Sequence, residues 1–406
     1  MRAFLIACLF MICSIQAQER SQTQLVPEAL FGILSEPNEG FPATSLQTGF
    51  VLSYAKQHKD AGARWMEVLG RPTTGISIGI SDFGNQDAIG QGYFVLPFIE
   101  LKLNKGAEYK WTLHTGFGAS YFPNTYDPET NALNRGISTH LNWSYRAFVY
   151  RYIHQWKIGL GYFHHSNGHS RIPNQGFNSF LFSVSRPIAL RTKTDPAMDT
   201  KTTSAASTVR TKNYFYTVRA GLGVNTFGEL RFKDKKEVYA FAADYGFIVN
   251  KTFMVSIGAY YRFYQHYYDV IQSDEPIITE RYAYFKENAF SYASNYGIAA
   301  KAGIVLGHIG ADLQLGVNIH KPFYKVDWEL NEAEEGIYGT PYYKPGKLDA
   351  YYELKRSIMS RLGLTYYLFN TDKLPKTNVF IGAHLNANFG QAEFSEVSVG
   401  VMRRLD

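Results

Sequence analysis

Residues 309–320 read IGADLQLGVNIH, an alternation of apolar side chains with small or polar ones. Alternate side chains of a β-strand point to opposite faces, so this segment predicts a strand with one apolar and one polar face. Its length is close to the roughly ten residues of a tilted strand that crosses a bilayer. The segment therefore indicates a membrane strand with its apolar face towards lipid.

The same alternation recurs along most of the chain. Residues 214–225, 253–264 and 379–388 repeat it clearly. Ten further segments of similar character lie near 73–82, 90–103, 109–122, 136–150, 155–166, 176–187, 237–249, 294–306, 355–369 and 391–404. We therefore predict an all-β protein, a transmembrane antiparallel β-barrel of the outer membrane with about 14 strands. Because residues 50–54 offer a further strand, the compatible range is 12 to 16.

Alternation alone also fits a soluble β-sandwich, and composition helps to separate the two classes. The chain has 30 Tyr and 29 Phe but only 19% charged residues. Its aromatic residues lie at the ends of the apolar faces, where the girdles of membrane barrels are found. The polar faces are rich in Gly and mid-sized polar residues, as in a barrel interior. These features favour the membrane barrel.

The first 17 residues have the pattern of a cleaved secretory signal peptide. Arg2 precedes an apolar run, and Ala17 offers a small residue for cleavage. Cleavage there would remove Cys8 and Cys13 and leave a mature chain without a thiol. The alternatives to cleavage are a lipid anchor on Cys13 or a retained segment. The formal charge of +6 is scattered and does not suggest nucleic acid binding. We expect a protein exported to the outer membrane, with no obligate protein partner.

The domain organisation predicted from these patterns has three parts. Residues 1–17 form the signal, residues 18–72 form a periplasmic segment, a plug or an extra strand, and residues 73–406 form the barrel. The long polar segments 266–293 and 321–354 fit extracellular loops, which are longer than periplasmic turns. The length of segment 188–212 does not fit this arrangement, because the segment falls on the periplasmic side, where a short turn is expected.

Two sequence patterns resemble functional motifs but do not fit the predicted strands. Residues 75–79 read GISIG, the pattern of a nucleophile elbow, but that motif requires a strand-to-helix turn and no helical pattern follows. His164, His165 and His169 do not suggest a metal site, because adjacent histidines on a strand point to opposite faces. We predict no metal and no cofactor.

Residues 161–188 place polar groups on an apolar face. By parity, His164 and Ser166 continue the apolar face of the first strand, and Asn178 shares the face of Phe180 on the second. The residues of that apolar face are Trp156, Ile158, Leu160 and Tyr162. A His, a Ser and an Asn thus face lipid near one end of two neighbouring strands. The plain interpretation is an interfacial His and Ser near lipid headgroups. The functional one is a serine hydrolase in which His164 activates Ser166.

The sequences HHSNG at 164–168 and PNQGFNS at 173–179 resemble the motif of the PagL family of outer-membrane lipid A 3-O-deacylases. Stretches at 49–54, 65–67, 72–75 and 82–85 are similar to its longer, acyloxyacyl-hydrolase-like members from Bacteroidetes. The resemblance covers about residues 45–190, and the C-terminal half resembles only a generic barrel. The resemblance implies removal of an ester-linked 3-O-hydroxyacyl chain from lipid A, or lipopolysaccharide, in the outer leaflet.

The resemblance also implies residue roles. His164 corresponds to the general base and Ser166 to the nucleophile, while Asn178 stands where the family has a Glu. An Asn can hold a His tautomer but cannot stabilise the imidazolium by charge. The enzyme is therefore slow, or another carboxylate substitutes, or this branch has a related but different activity. Asn174 and a backbone N–H near Asn167 or Gly168 are candidates for the oxyanion hole. Asn167, Arg171 and Arg186 are candidates for substrate binding, and the alternative for the two arginines is ordinary anchoring at the membrane interface.

A second function remains open from the sequence. A barrel of about 14 strands is wider than this chemistry requires. A lumen lined by polar residues could pass a solute, so the alternative is a non-enzymatic porin or channel with a degenerate hydrolase motif. The residues expected to line such a lumen are Asp312, Gln314, Asn318, Arg262 and His384.

Overall fold

A computed structural model describes residues 22–58, 62–104, 110–190, 210–227, 235–331, 334–335, 343–344 and 347–405. Within these ranges, sixteen long strands form two closed antiparallel barrels of eight strands each. The first barrel consists of β1 (Gln22–Ser35), β2 (Gln47–Gln57), β3 (Thr73–Asp82), β4 (Gln91–Lys102), β5 (Trp111–Tyr121), β6 (Leu141–Ile153), β7 (Trp156–Ser166) and β8 (Phe177–Ser185). The second consists of β9 (Lys212–Thr226), β10 (Lys235–Val249), β11 (Phe253–Tyr264), β12 (Ser294–Leu306), β13 (Ile309–His320), β14 (Ile358–Tyr367), β15 (Thr377–Asn388) and β16 (Gln391–Arg404).

Each barrel closes between its own first and last long strands. In the first, β1 pairs with β2 on one side and with β8 on the other, and Ser35 lies opposite Asn178. The two-residue strand Ile188–Ala189 extends this pairing along β1. In the second, β9 pairs with β10 and β16, and Phe215 lies opposite Arg404. Closure leaves no long strand with an unpaired edge in either barrel.

The two faces of the strands are segregated as the alternation predicts. On β13 the exposed positions include Leu313, Leu315 and Val317, whereas Asp312 and Gln314 are buried inside the barrel. A wall with an apolar outside and a polar inside fits a strand in a bilayer. The prediction of an all-β transmembrane barrel architecture is confirmed.

Side chains fill the interior of the first barrel. The buried carboxylate of Glu28 accepts hydrogen bonds from both terminal nitrogens of Arg146, at 3.1 and 2.8 Å. The hydroxyl groups of Tyr150 and Ser183 also donate to Glu28 at 2.5 Å. A barrel of eight strands is just wide enough for its own side chains to fill.

The second barrel is filled in the same way, and by the residues that the sequence suggested as the lining of a lumen. His384 lies 3.2 Å from Asp312, and Arg262 donates to Glu393 at 3.2 Å. Asn318 accepts from Tyr260 at 2.6 Å, and Gln314 is buried. These polar groups are thus buried inside the second barrel, where most of them contact another buried side chain.

The structure divides the strands differently from the sequence-based expectation. All fourteen predicted strands are present, but they belong to two barrels. Residues 22–57, expected to precede the barrel, supply β1 and β2 of the first barrel. The long segment 188–212 joins the last long strand of the first barrel to the first strand of the second in chain order, so it is not a turn within one barrel. Its residues 191–209 lie outside the described ranges, as does the predicted signal at 1–17.

Helices are short and occupy the connections. Those between β11 and β12 and between β13 and β14 lie at the end that the even strand number makes extracellular. The helical segments are Arg64–Val68, Gln265–Gln272, Ile277–Arg281, Ala283–Asn288, Ala289–Tyr292, Tyr324–Asn331, Ala350–Ser357 and Thr371–Lys373. None of the helices in the described ranges is both long enough and apolar enough to cross a membrane.

Candidate active site

The candidate site lies where β7 ends and β8 begins. These strands are antiparallel neighbours, and His164 lies directly opposite Asn178 in their register. The connection 167–176 joins them at the extracellular end. Both side chains are half-buried on the outer face, in line with the exposed Leu160 and Phe180 further along the strands. Strand parity thus brings the His and the Asn together on the face predicted from the sequence.

A hydrogen bond fixes the imidazole of His164. Its Nδ1 lies 2.8 Å from Oδ1 of Asn178. An amide oxygen can only accept, so Nδ1 carries the proton and the other ring nitrogen, Nε2, keeps its lone pair. The nitrogen of His164 that can act as a base is therefore Nε2, which does not contact Asn178.

Tyr162 is a member of this group that the sequence reasoning missed. Its hydroxyl donates to Oδ1 of Asn178 at 2.5 Å and lies 3.5 Å from Nδ1 of His164. The rings of Tyr162 and His164 are nearly parallel, with centroids 6.3 Å apart. The signal that could have found it is its position two residues before His164, on the same face. The amide oxygen of Asn178 thus accepts two hydrogen bonds.

Ser166 is the last residue of β7 and shares the parity of His164. Residues two apart on a strand have Cα atoms about 6.6 Å apart. Ser166 is only 5% exposed, and its hydroxyl makes no hydrogen bond with the described residues. Its backbone lies opposite Trp143 of β6. A hydroxyl with no competing partner can turn towards Nε2 of His164 once a substrate is bound.

The loop after Ser166 is held by side-chain amides. Asn174 accepts a hydrogen bond from the backbone N–H of Asn167 at 2.9 Å, and the Asn167 amide donates to Ser138 at 2.9 Å and to the Arg171 carbonyl at 2.7 Å. Asn167 therefore has its donors committed within the protein, where they order this loop. Its role in substrate binding stays a prediction. The amide nitrogen of Asn174 and the N–H of Gly168 are left as donors of the candidate oxyanion hole.

Two glycines are required by the shape of this loop. Gly168 has φ +63°, and a β-carbon there would lie 2.4 Å from the Ser395 hydroxyl of the second barrel. Gly176 has φ +78°, and a β-carbon there would lie 2.8 Å from Cε1 of His164. Both positions combine a left-handed backbone with a close neighbour, so that only glycine fits without displacement.

The two arginines predicted to bind substrate lie at different ends of the barrel. Arg171 is exposed in the loop next to the site. Arg186 follows the far end of β8, where its guanidinium donates to Gln155 and lies over the Trp156 ring at 5.8 Å. Eight residues of strand, about 26 Å, separate it from Asn178. The prediction for Arg186 is therefore wrong, because the antiparallel strand carries it to the opposite membrane interface.

The other titratable groups do not join the site. His165 points into the barrel, where its Nδ1 lies 2.8 Å from Ser144, and the carbonyl of His169 accepts from Thr226 of the second barrel. Among the described residues, no group of three or more His, Cys, Asp and Glu side chains could hold a metal ion. No carboxylate in the same ranges forms an ion pair with His164, so no acid replaces the amide of Asn178 there.

Comparison with known proteins matches part of the chain to one family. Residues 48–187 match the model of the lipid A 3-O-deacylase (PagL) family. This segment is roughly a third of the chain, and it contains His164, Ser166 and Asn178. The resemblance noted from the motif is confirmed for this segment.

Solved structures also match, at low similarity. The outer membrane enzyme PagL is 18% identical, with coverage of 40% of this chain and 99% of its own and a TM-score of 0.31. A triple mutant of Rhodopseudomonas blastica porin is 10% identical, with coverage of 95% and 99% and a TM-score of 0.17. A BenF-like porin from Pseudomonas fluorescens Pf-5 is 10% identical, with coverage of 95% and 98% and a TM-score of 0.19. The search of curated proteins found no match.

Proposed function

We propose that this protein is an outer-membrane serine esterase that removes an ester-linked 3-O-hydroxyacyl chain from lipid A, acting from the lipid-facing side of its first barrel. The observation that carries the proposal is the 2.8 Å contact between Nδ1 of His164 and Asn178 on the outer face, with Ser166 on the same parity two residues later. The match of residues 48–187 to the deacylase family supports the same substrate class.

The first half-reaction forms an acyl-enzyme. Nε2 of His164 takes the proton of the Ser166 hydroxyl as its oxygen attacks the ester carbonyl. The amide nitrogen of Asn174 and the N–H of Gly168 stabilise the resulting oxyanion. The tetrahedral intermediate collapses, the bond to the sugar oxygen breaks, and His164 returns the proton to that oxygen. The sugar hydroxyl leaves and the acyl chain stays on Ser166.

Hydrolysis of the acyl-enzyme completes the cycle. Water loses a proton to His164, attacks the acyl carbonyl and releases the fatty acid, while the serine oxygen recovers the proton. Asn178 keeps the imidazole in the tautomer that both steps need. It adds no negative charge to stabilise the imidazolium, so we expect turnover below that of a site with a carboxylate at this position.

The channel alternative is not favoured by the interior of either barrel. The polar residues proposed to line a lumen are buried in the second barrel. His384 contacts Asp312 there, and Arg262 donates to Glu393. The first barrel is filled around Glu28 and Arg146. An enzyme whose substrate stays in the leaflet needs no passage, and an outward-facing site suits such a substrate.

The test is analysis of lipid A by mass spectrometry from a host with hexa-acyl lipid A that expresses the protein. Wild type should remove one hydroxyacyl chain, and Ser166→Ala should not. Folding of both proteins is checked by heat-modifiable electrophoretic mobility. An unchanged lipid A profile with a folded wild type would refute this activity, and equal cleavage by Ser166→Ala would refute the nucleophile.

A further inference from the structure

A crevice of about 1050 Å³ opens between the two barrels. Its first-barrel wall includes Trp143, which lies opposite Ser166, and Asn167, which follows it. The second barrel contributes the ends of three strands to the other wall: Val224, Lys235 and Ser395. The crevice thus lies at the extracellular end, next to the candidate nucleophile.

Hydrogen bonds between the barrels fix the walls of the crevice. The Trp143 indole donates to the Ser395 hydroxyl at 2.8 Å. Thr226 donates through its hydroxyl to the Ser170 carbonyl at 3.0 Å and through its N–H to the His169 carbonyl at 3.2 Å. The loop after the nucleophile is therefore held from outside by the second barrel.

The chemistry of the lining is amphiphilic. Leu141, Trp143 and Val224 supply apolar surface, while Arg171 and Lys235 supply two cations. None of the described residues that line the crevice is acidic. The nearby carboxylate of Asp127 accepts hydrogen bonds from Thr130 and Glu129 in its own turn. These bonds, with a smaller contribution from the charge of Arg171, hold its pKa below the ordinary value. Two cations above an apolar surface complement an anionic amphiphile.

We propose that this crevice binds a phosphorylated glycolipid of the outer leaflet, with its phosphates on Arg171 and Lys235 and an acyl chain along Trp143 and Val224. The inference rests on the proposed function and extends it, because it makes the second barrel part of the substrate site. A lipid held there presents its ester to Ser166 from the β6 side, opposite to the side that His164 shares with Asn178.

The experiment measures binding separately from cleavage. Full-length Ser166→Ala protein in detergent is titrated with bisphosphorylated hexa-acyl lipid A, with the same lipid after removal of its phosphates, and with inorganic phosphate alone. Arg171→Gln and Lys235→Gln are made in this background, together with Val224→Trp, which fills the crevice. Lys286→Gln is the control, since Lys286 lies in the extracellular loops of the second barrel and pairs with the exposed Asp274.

Each crevice cation should contribute about fivefold to the affinity for the bisphosphorylated lipid. Lys286→Gln should match the parent, Val224→Trp should weaken both lipids, and inorganic phosphate should not compete. Equal binding by the parent, Lys235→Gln and Val224→Trp would overturn the inference even if the wild type cleaves lipid A. Crevice-dependent binding without cleavage would instead refute the esterase proposal alone.

Discussion

His164 and Asn178 face each other across β7 and β8, with the imidazole Nδ1 2.8 Å from the amide Oδ1. The contact gives the imidazole one tautomer and one orientation, which are two of the three contributions of a triad acid. The third contribution is negative charge, which an amide lacks. Asn178 therefore positions the imidazole of His164 without supplying the negative charge of a triad acid.

Asn178→Glu should raise the turnover of lipid A by tenfold or more. A carboxylate at this position can accept from His164 and Tyr162 as the amide does, and it also stabilises the imidazolium. The measurement is kcat on purified lipid A in detergent. Asn178→Gln is the matched control, because it has the length of Glu without its charge and should show no gain. A gain shared by both variants would assign the effect to side-chain length.

Tyr162→Phe should lower kcat by about three- to tenfold and leave KM nearly unchanged. The change removes the hydroxyl that donates to Asn178 at 2.5 Å, so the amide is held less firmly against the imidazole. The free energy of unfolding should change by about 1 kcal/mol, the net contribution of one hydrogen bond. A change in KM alone would place Tyr162 in substrate binding instead.

Gly176→Ala should lower kcat/KM by on the order of a hundredfold, since a shift of about 1 Å in a catalytic group has effects of this size. The new β-carbon would lie 2.8 Å from the His164 ring. Gly390→Ala is the matched control, because Gly390 also has positive φ, +85°, but nothing within 4 Å of such a carbon. Both should lose stability, and only Gly176→Ala should lose activity. Equal activity of the two variants would contradict the clash with His164.

Glu28→Ala should destabilise the first barrel by about 3 to 5 kcal/mol, because it leaves the fully buried Arg146 without its carboxylate. The Tyr150 and Ser183 hydroxyl groups lose their acceptor as well. The measurement is urea-induced unfolding in lipid vesicles. Glu237→Ala, on the exposed outer face of β10, should change the unfolding free energy little. Equal effects would mean that the interior pair does not stabilise the barrel.

The fold was predictable wherever one strand face meets lipid and the other meets polar groups. The alternation pattern did not identify β1, because this strand has apolar residues on both faces. Val26, Leu30 and Leu34 point into the barrel, while Phe31 and Ile33 point outwards. With apolar residues on both faces, the strand has no period of two. The division into two barrels was also hidden, because alternation is the same whichever strand closes the ring. Closure depends on pairs such as Glu28 and Arg146, which are 118 residues apart.

Strand parity predicted the residues of the site, but it did not predict the residues that surround them. It placed His164, Ser166 and Asn178 on one face, because each lies an even number of positions from an apolar outward residue. Tyr162 was hidden, since an outward Tyr near a strand end also fits an aromatic girdle. The contacts of the 167–170 loop with Thr226 and Ser395 join distant parts of the chain and leave no local pattern.

The packed interiors have a consequence for the cell that makes this protein. The outer membrane keeps out hydrophilic antibiotics, and an open sixteen-stranded barrel would weaken that barrier with every copy inserted. Two filled cylinders enlarge the protein wall in contact with lipid without opening an aqueous leak. We therefore expect cells that overproduce this protein to keep their normal antibiotic resistance.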